Sequence, residues 1–172
     1  MKTLEVFDNM PNDEIADILE DLDEETAEKI LMGLENTDAK EVRELMSYED
    51  ETVGSIMNKD FIAFNIDITV QETMDLIRDL NPDEEVMYNI YLVDEEERLE
   101  GVVSIKDLIM NSPETHLKEI MNTNIIKVGA EENIKSTLKT FVKYDLTSLP
   151  VVDSNDKLLG IAIIHDIIDE II

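Results

Sequence analysis

Two copies of one pattern decide the fold: Gly101-Val102-Val103-Ser104-Ile105-Lys106-Asp107 and Gly160-Ile161-Ala162-Ile163-Ile164-His165-Asp166. Each copy begins as an apolar strand and continues into a helix. A short acidic turn precedes each copy, at 94–97 and 153–156, and an apolar run precedes each turn, which predicts a β-hairpin. Because the offset between the copies is 59 residues throughout, the chain contains an internal repeat.

The repeat extends toward the N-terminus. Ile56-Met57 recurs as Ile120-Met121 with an offset of 64 residues. Each copy reads strand, helix, strand, turn, strand, helix, and a unit of this size buries both faces of its sheet only by packing on the other copy. The predicted strands are 61–64, 88–93, 99–103, 125–128, 149–152 and 158–163, and the predicted helices between them are 70–80 and 134–144.

Residues 1–50 have a different pattern, with apolar residues at helical spacing. Pro11-Asn12-Asp13 is typical of a helix start, and Gly33 of a helix end. We expect three short helices with so little core of their own that they lean on another part of the molecule. Their apolar positions are Ile15, Ile18, Leu19 and Leu22, then Ile30, Leu31 and Leu34, then Val42, Leu45 and Met46.

Composition excludes several classes of function. The chain has 42 acidic and 14 basic residues, a net charge of −28, which argues against nucleic acid and against an anionic membrane surface as partners. It has no cysteine, so thiolate metal sites and cysteine nucleophiles are excluded. No stretch reaches the roughly 18 apolar residues of a membrane span. We therefore expect the chain to be located in the cytoplasm. No nucleophile–base pairing or glycine-rich phosphate loop is visible, so we predict that the chain is not an enzyme.

The repeated blocks resemble the CBS domain, with Leu92-Val93-Asp94 before the first block and Leu149-Pro150-Val151-Val152-Asp153 before the second. The resemblance implies an α+β fold: a short all-helical N-terminal segment followed by a tandem CBS-domain pair, or Bateman module. The expected domains are an acidic helical segment at 1–52, copy one at 53–118 and copy two at 119–172. CBS pairs commonly stack as homodimers, so a C2 dimer is expected.

The complete layout is similar to the MgtE family of magnesium transporters. It runs from an acidic Pro11-Asn12-Asp13-Glu14-Ile15-Ala16-Asp17 helix through Tyr48-Glu49-Asp50-Glu51-Thr52-Val53-Gly54 to Tyr144-Asp145-Leu146-Thr147-Ser148. The resemblance implies a magnesium-sensing regulatory region on the cytoplasmic side of the membrane, in which bound Mg²⁺ favours a closed pore. The helical segment is shorter than the family's N domain, and we expect the chain to be part of a longer protein with a transmembrane pore domain.

Two acidic pairs are candidates for the magnesium site. Asp13 and Asp17 are spaced i, i+4, and Asp166 and Asp169 are spaced i, i+3, so each pair projects from one side of a helix. The alternative is an ordinary solvated acidic helix surface. Mg²⁺ suits carboxylates on two modules, because it takes oxygen ligands and keeps several waters. The resemblance assigns the metal contacts to Asp13, Asp17, Gly54 (through its backbone carbonyl), Asp166 and Asp169, with Asp145 as a weaker member.

The pattern Gly-x-x-Ser-x-x-Asp of copy one is the second candidate site. In CBS domains this block places a hydroxyl and a carboxylate near the phosphate and ribose of a nucleotide, and Ser104 and Asp107 fit it. Copy two has Ile163 at the serine position, so at most one full pocket is expected. The alternative is that Ser104 merely caps the following helix. The predicted nucleotide-binding residues are Tyr88, Asn89, Ser104, Lys106 and Asp107.

Two rival functions stay open beside the magnesium sensor, which would take Mg²⁺ and possibly ATP as ligands. One is an adenine-nucleotide sensor for ATP or AMP, stand-alone or attached to another protein, which rests on Ser104 and Asp107. The other is a regulatory domain of a larger enzyme, although the acidic helices ahead of the repeat do not fit that class.

Overall fold

The structure, a computed structural model, describes residues 10–34 and 36–172. The helical segment contains α1 (Asn12–Glu20), α2 (Glu24–Gly33) and α3 (Asn36–Met46). Pro11 precedes α1 in an extended conformation, and Gly33 is the last residue of α2, so the predicted start and end signals are confirmed. In the described part of the chain no helix is long and apolar enough to cross a membrane.

One helical face is rotated from the prediction. Ile15 and Leu19 are buried as expected, but Ile18 is 40% exposed and Leu22 is 38% exposed. Ala16 takes the buried place between them and is completely inaccessible. A small side chain lets α1 approach its neighbour closely, and hydropathy alone does not identify such a position.

The two copies of the repeat fold alike, each with a three-stranded sheet and flanking helices. The elements of copy one are α4 (Val53–Ile56), β1 (Ala63–Asn65), α5 (Val70–Leu80), α6 (Glu84–Met87), β2 (Asn89–Val93), β3 (Leu99–Ser104) and α7 (Ile105–Met110). The elements that follow are α8 (Leu117–Ile120), β4 (Val128–Gly129), α9 (Ile134–Tyr144), β5 (Ser148–Val152), β6 (Leu158–Ile163) and α10 (Ile164–Ile171).

Each sheet is mixed. Strand β1 pairs parallel with β2, which pairs antiparallel with β3, and β4, β5 and β6 repeat this arrangement. The acidic turns close the two hairpins as predicted, with Glu97 and Asp156 at φ of 64° and 63°. The tips of the hairpins also meet, because Leu99 N donates to Asp156 O at 2.9 Å and Leu158 N donates to Glu97 O at 3.1 Å.

The first strand of each copy is shorter than predicted and starts later. The runs 61–64 and 125–128 were expected as strands, whereas β1 starts at Ala63 and β4 at Val128. The earlier apolar residues are used between the copies instead, since Phe61 and Ile125 both pack against the core between the two sheets. Their apolar pattern therefore reflects packing against the other copy rather than strand pairing.

The Ile-Met mark of one copy contacts the glycine of the other. A Cβ on Gly160 would lie 3.0 Å from Met57 Sδ and 2.9 Å from Asn58 O, and one on Gly101 would lie 2.6 Å from Met121 Sδ. Asn58 and Ile161 exchange two backbone hydrogen bonds at this crossing, of 2.7 and 2.9 Å. Both glycines are thus required by close approach, and the two repeated marks are reciprocal partners.

The helical segment shares a hydrophobic core with copy two. One contiguous cluster of buried side chains runs from Ile15, Leu19 and Leu45 to Phe141 and Ile167. The expectation that the helices lean on another part of the molecule is therefore confirmed. Copy one has a separate core, which includes Ile77, Ile90 and Val103.

Candidate functional site

Carboxylates from the helical segment and copy two approach one another between α1 and α10. Asp13 lies in the first turn of α1 and Asp166 in the first turn of α10. Burial, and after it the charge of Asp166, raise the pKa of Asp13 to about 7. A carboxyl with so high a pKa is one whose charged form lacks compensation.

Other carboxyl groups on both helices also have raised pKa values. Asp17 keeps one side open to solvent, but desolvation and the charges of Glu170, Asp21, Asp166 and Glu14 raise its pKa to about 6. The pKa of Asp166 is also raised, first by burial and then by Glu85 of copy one. Since all three modules contribute carboxylates, this acidic junction (Asp13, Asp17, Glu85, Asp166 and Glu170) is where a cation would be most strongly attracted.

The described carboxylates of the junction do not form a closed metal cage. Within residues 10–34 and 36–172, no group of three or more histidine, aspartate or glutamate side chains is arranged to hold a metal ion by itself. Mg²⁺ is compatible with such a place, because it is often held by one or two carboxylates and completes its shell with water. Asp169 lies on the exposed side of α10, with an oxygen 3.9 Å from His165 Nε2.

Two of the predicted metal residues have local explanations. Gly54 is buried, and a Cβ there would lie 2.7 Å from the ring of Tyr48, so packing alone requires glycine. Asp145 ends α9 in the left-handed conformation with φ of 52°, and its repeat mate Asn81 ends α5 in the same way with φ of 45°. An uncharged residue thus does in copy one what Asp145 does in copy two.

Four of the five predicted nucleotide residues line one cavity of about 710 Å³ between the copies. Tyr88 ends α6 and Asn89 begins β2, while Ser104 and Lys106 come from the β3–α7 junction. The Tyr88 hydroxyl donates to Glu84 Oε1 at 2.5 Å, and the same residue lines the cavity. The remaining lining residues are Ile105, Ile109, Met110 and Thr147.

Ser104 and Asp107 form a capping box at the start of α7. Asp107 N donates to Ser104 Oγ at 3.1 Å, and Ser104 N donates to Asp107 Oδ2 at 3.0 Å. The capping alternative for Ser104 therefore describes its geometry, and Asp107 is absent from the lining of the cavity. A nucleotide would have to compete with the helix for both side chains.

A hydrogen-bonded group between the two sheets escaped the sequence analysis. Asn89 Nδ2 donates to Ser148 Oγ at 3.1 Å, and the buried Tyr91 hydroxyl lies 3.5 Å from the same oxygen. Burial raises the pKa of Tyr91 to about 12. Asn89 and Ser148 occupy the same place in the two copies, so aligning the repeats residue by residue identifies the pair.

Glu85 and Thr147 were also missed, for different reasons. Thr147 is the repeat mate of Tyr88, so the repeat alignment points to the cavity. Glu85 lies in the acidic run Asp83-Glu84-Glu85, where nothing in the sequence marks one carboxylate as facing α10.

Comparison with known proteins agrees with this organisation. The profile described as "MgtE intracellular N domain" matches residues 1–51, and the "CBS domain" profile matches residues 53–114 and 117–172. Magnesium transporter MgtE of Thermus thermophilus is 38% identical over 129 residues, which are 75% of this chain and 29% of the relative. That of Bacillus subtilis is 30% identical over 166 residues, which are 96% of this chain and 37% of the relative.

Two solved structures have the same architecture. The soluble part of a magnesium transporter superposes with a TM-score of 0.89 at 37% identity, over 94% of this chain and 63% of that one. The cytosolic domain of the Mg²⁺ channel MgtE in complex with ATP gives 0.92 at 33% identity, over 96% and 68%. This chain spans about a third of the length of the curated relatives that it matches. With its N-domain helices and its tandem CBS pair, the chain belongs to the MgtE family of magnesium transporters.

Proposed function

We propose that this chain is the magnesium-sensing regulatory region of a magnesium transporter, on the cytoplasmic side of the membrane. Mg²⁺ binds between the helical segment and the CBS pair and favours the arrangement that keeps a pore domain closed. The observation that carries the proposal is the acidic junction, where Asp13 and Asp17 have pKa values raised to about 7 and 6. The chain itself acts as a regulator and performs no catalysis.

Two opposing contributions make such a junction sensitive to cations. The shared apolar core, with Ile15 and Leu19 buried, favours docking of the helical segment. The carboxylates of α1 and α10 oppose docking, because they lose water and repel one another. A cation that binds the docked form alone shifts the balance toward it, in proportion to its differential affinity.

Magnesium fits this place for chemical reasons. The available ligands are carboxylate oxygens, and Mg²⁺ held by only one or two carboxylates completes its shell with water. Ligands divided between α1 and α10 would give weak binding, which suits the sensing of an abundant ion. We include Asp13, Asp17, Asp166 and Asp169 as contributors, directly or through water, and retain the Gly54 carbonyl and Asp145 as untested members.

The test is limited proteolysis of residues 10–50, together with solution scattering, in EDTA and across millimolar magnesium. We expect slower cleavage and a more compact envelope as the magnesium concentration rises. Both effects should be lost in Asp13→Asn/Asp17→Asn. Asp75→Asn/Asp79→Asn is a matched control, because it removes two exposed carboxylates at the same i, i+4 spacing on α5. Unchanged cleavage and envelope in the wild type would refute the sensor.

Adenine nucleotide is a second candidate ligand, favoured by the cavity of about 710 Å³ that Tyr88, Asn89, Ser104 and Lys106 line. A related cytosolic domain has been solved in complex with ATP. The ring of Tyr88 offers a stacking surface for a base, and Lys106 offers a cation for phosphates. Calorimetry with ATP and AMP is the test. Lys106→Met should lower the affinity for ATP more than the affinity for AMP. The absence of binding heat with both ligands would eliminate this candidate.

We also propose a C2 homodimer formed through the CBS helices. α7, α9 and α10 expose apolar side chains that a second copy would cover. These side chains are Ile109, Met110, Val142, Ile168 and Ile171. Sedimentation equilibrium should give twice the monomer mass, and Val142→Glu should shift it toward the monomer. A transmembrane pore domain of the same protein is the expected partner of the dimer.

A further inference from the structure

Lys59 connects the three modules of the molecule. It belongs to copy one, in the segment between α4 and β1. Its ammonium lies 3.0 Å from Glu44 Oε2, on α3 of the helical segment, and donates to the Leu159 carbonyl, on β6 of copy two, at 2.5 Å. One side chain therefore contacts both the helical segment and copy two.

The burial of this ion pair sets it apart. The Lys59 side chain is 13% exposed, whereas every other ion-paired basic side chain of the described residues is at least 40% exposed. Exposed pairs contribute little because water and salt screen them, while a charge-assisted hydrogen bond in a drier place is stronger. The Glu44 carboxylate is itself 34% exposed.

The backbone beside Lys59 is anchored to copy two. The preceding residue, Asn58, is joined to Ile161 by two hydrogen bonds, and a Cβ on Gly160 would lie 2.9 Å from the Asn58 carbonyl oxygen. The repeat mate of Lys59 is Thr123, so copy two has no ammonium at the equivalent place. Of the two equivalent positions, only the one in copy one therefore carries a cation, and it is this position that contacts the helical segment.

We propose that Lys59 is a resident cation that holds α3 on the CBS pair without magnesium, and so sets the magnesium concentration at which the helical segment docks. The second part rests on the proposed function. Lys59 is a positioning residue whose ion-pair partner is Glu44 on α3, which is not one of the carboxylates of the acidic junction. Because its contacts favour docking at every magnesium concentration, their loss must be compensated by more magnesium.

The experiment compares Lys59→Met with wild type by limited proteolysis of residues 10–50 in EDTA and along a magnesium titration. We expect faster cleavage in EDTA and a magnesium midpoint raised by about threefold to tenfold, the range for one partly buried charge pair. Lys118→Met is the matched control, because it removes the same charge from an exposed pair with Asp67 inside copy one. Lys59→Arg keeps the positive charge, so its cleavage rate in EDTA and its magnesium midpoint should lie close to those of the wild type.

A second variant keeps the test decisive if Lys59→Met folds poorly. Glu44→Gln removes the other partner and should shift the midpoint in the same direction, and the double variant should shift it by less than the two single shifts combined. Wild-type cleavage and an unchanged midpoint in either folded variant would overturn the role of Lys59. If wild type ignores magnesium while Lys59→Met is still cleaved faster in EDTA, the magnesium sensor fails and the resident-cation contact stands.

Discussion

Asp13 shows how a single carboxyl links stability to pH. Its pKa is raised from an ordinary value of 3.8 to about 7, mainly by burial and then by Asp166. A carboxyl whose pKa is higher in the folded state favours folding below the unfolded value. That contribution is lost as the pH rises through the folded value, here between about pH 4 and pH 7.

At pH 8 in EDTA, Asp13→Asn should therefore raise the free energy of unfolding, by on the order of 1 kcal/mol after solvent screening. At pH 5 the gain should be clearly smaller, because Asp13 is then mostly protonated in the folded state and only part of the interval between the two pKa values has been crossed. Urea unfolding at the two pH values measures the difference. Asp79→Asn, which removes an exposed carboxylate on α5, is the control and should change stability little. An equal effect of Asp13→Asn at both pH values would contradict the electrostatic explanation.

The sequence predicted the acidic pairs because helical spacing is visible in it. It did not predict which neighbours they meet. Glu85 approaches Asp166 only because copy one folds against copy two, and the rise in the pKa of Asp17 depends on Glu170. Desolvation and nonlocal repulsion arise from tertiary packing, which no local pattern of carboxylates encodes.

At the scale of elements, α7 owes its start to a capping box between Ser104 and Asp107. Helix α10, its repeat mate, begins after Ile163 without a side-chain cap. Both helices bury the same repeat position, Leu108 in α7 and Ile167 in α10, so the capping box is an interaction that the six-residue α7 has in addition to this packing.

Ser104→Ala should lower the free energy of unfolding by about 1 kcal/mol, because Asp107 N loses its acceptor. Thermal or urea unfolding measures this, and Ser154→Ala in the exposed β5–β6 turn is a control that should change little. If Ser104→Ala leaves stability unchanged but lowers the affinity for ATP, then the hydroxyl contributes to ligand binding rather than to capping of the helix.

Helices 70–80 and 134–144 were predicted with their observed bounds and the strands of both hairpins to within one residue, because their residue patterns reflect local amphipathicity and turn chemistry. Strands β1 and β4 were misplaced because the preceding apolar residues pack on the other copy. A hydrophobic run indicates burial, but not whether its own sheet or a neighbouring module covers it.

In the whole molecule, the helical segment and copy two share one hydrophobic core. We therefore expect them to unfold together. Leu45 on α3 is completely buried in the cluster that also contains Phe141 of copy two. The sequence indicated that three short helices need external support, but their partner became evident only once both modules were folded together.

Leu45→Ala should destabilise the whole chain by about 2–5 kcal/mol, because it leaves a cavity in this common core. We expect one cooperative transition at a lower temperature by circular dichroism. Met32→Ala on α2 is the control, since Met32 is 78% exposed. A two-step transition whose upper step is unchanged would mean that the helical segment unfolds independently.

We propose that a divalent cation binds at the acidic junction. The most direct measurement is anomalous diffraction from crystals grown with Mn²⁺, which shares the preference of Mg²⁺ for oxygen ligands and is detectable. We expect an anomalous peak between α1 and α10, within reach of Asp13, Asp17 or Asp166 directly or through one water. This peak should be lost in Asp13→Asn/Asp17→Asn. Anomalous peaks confined to other surfaces, or a junction without a peak at saturating Mn²⁺, would contradict it.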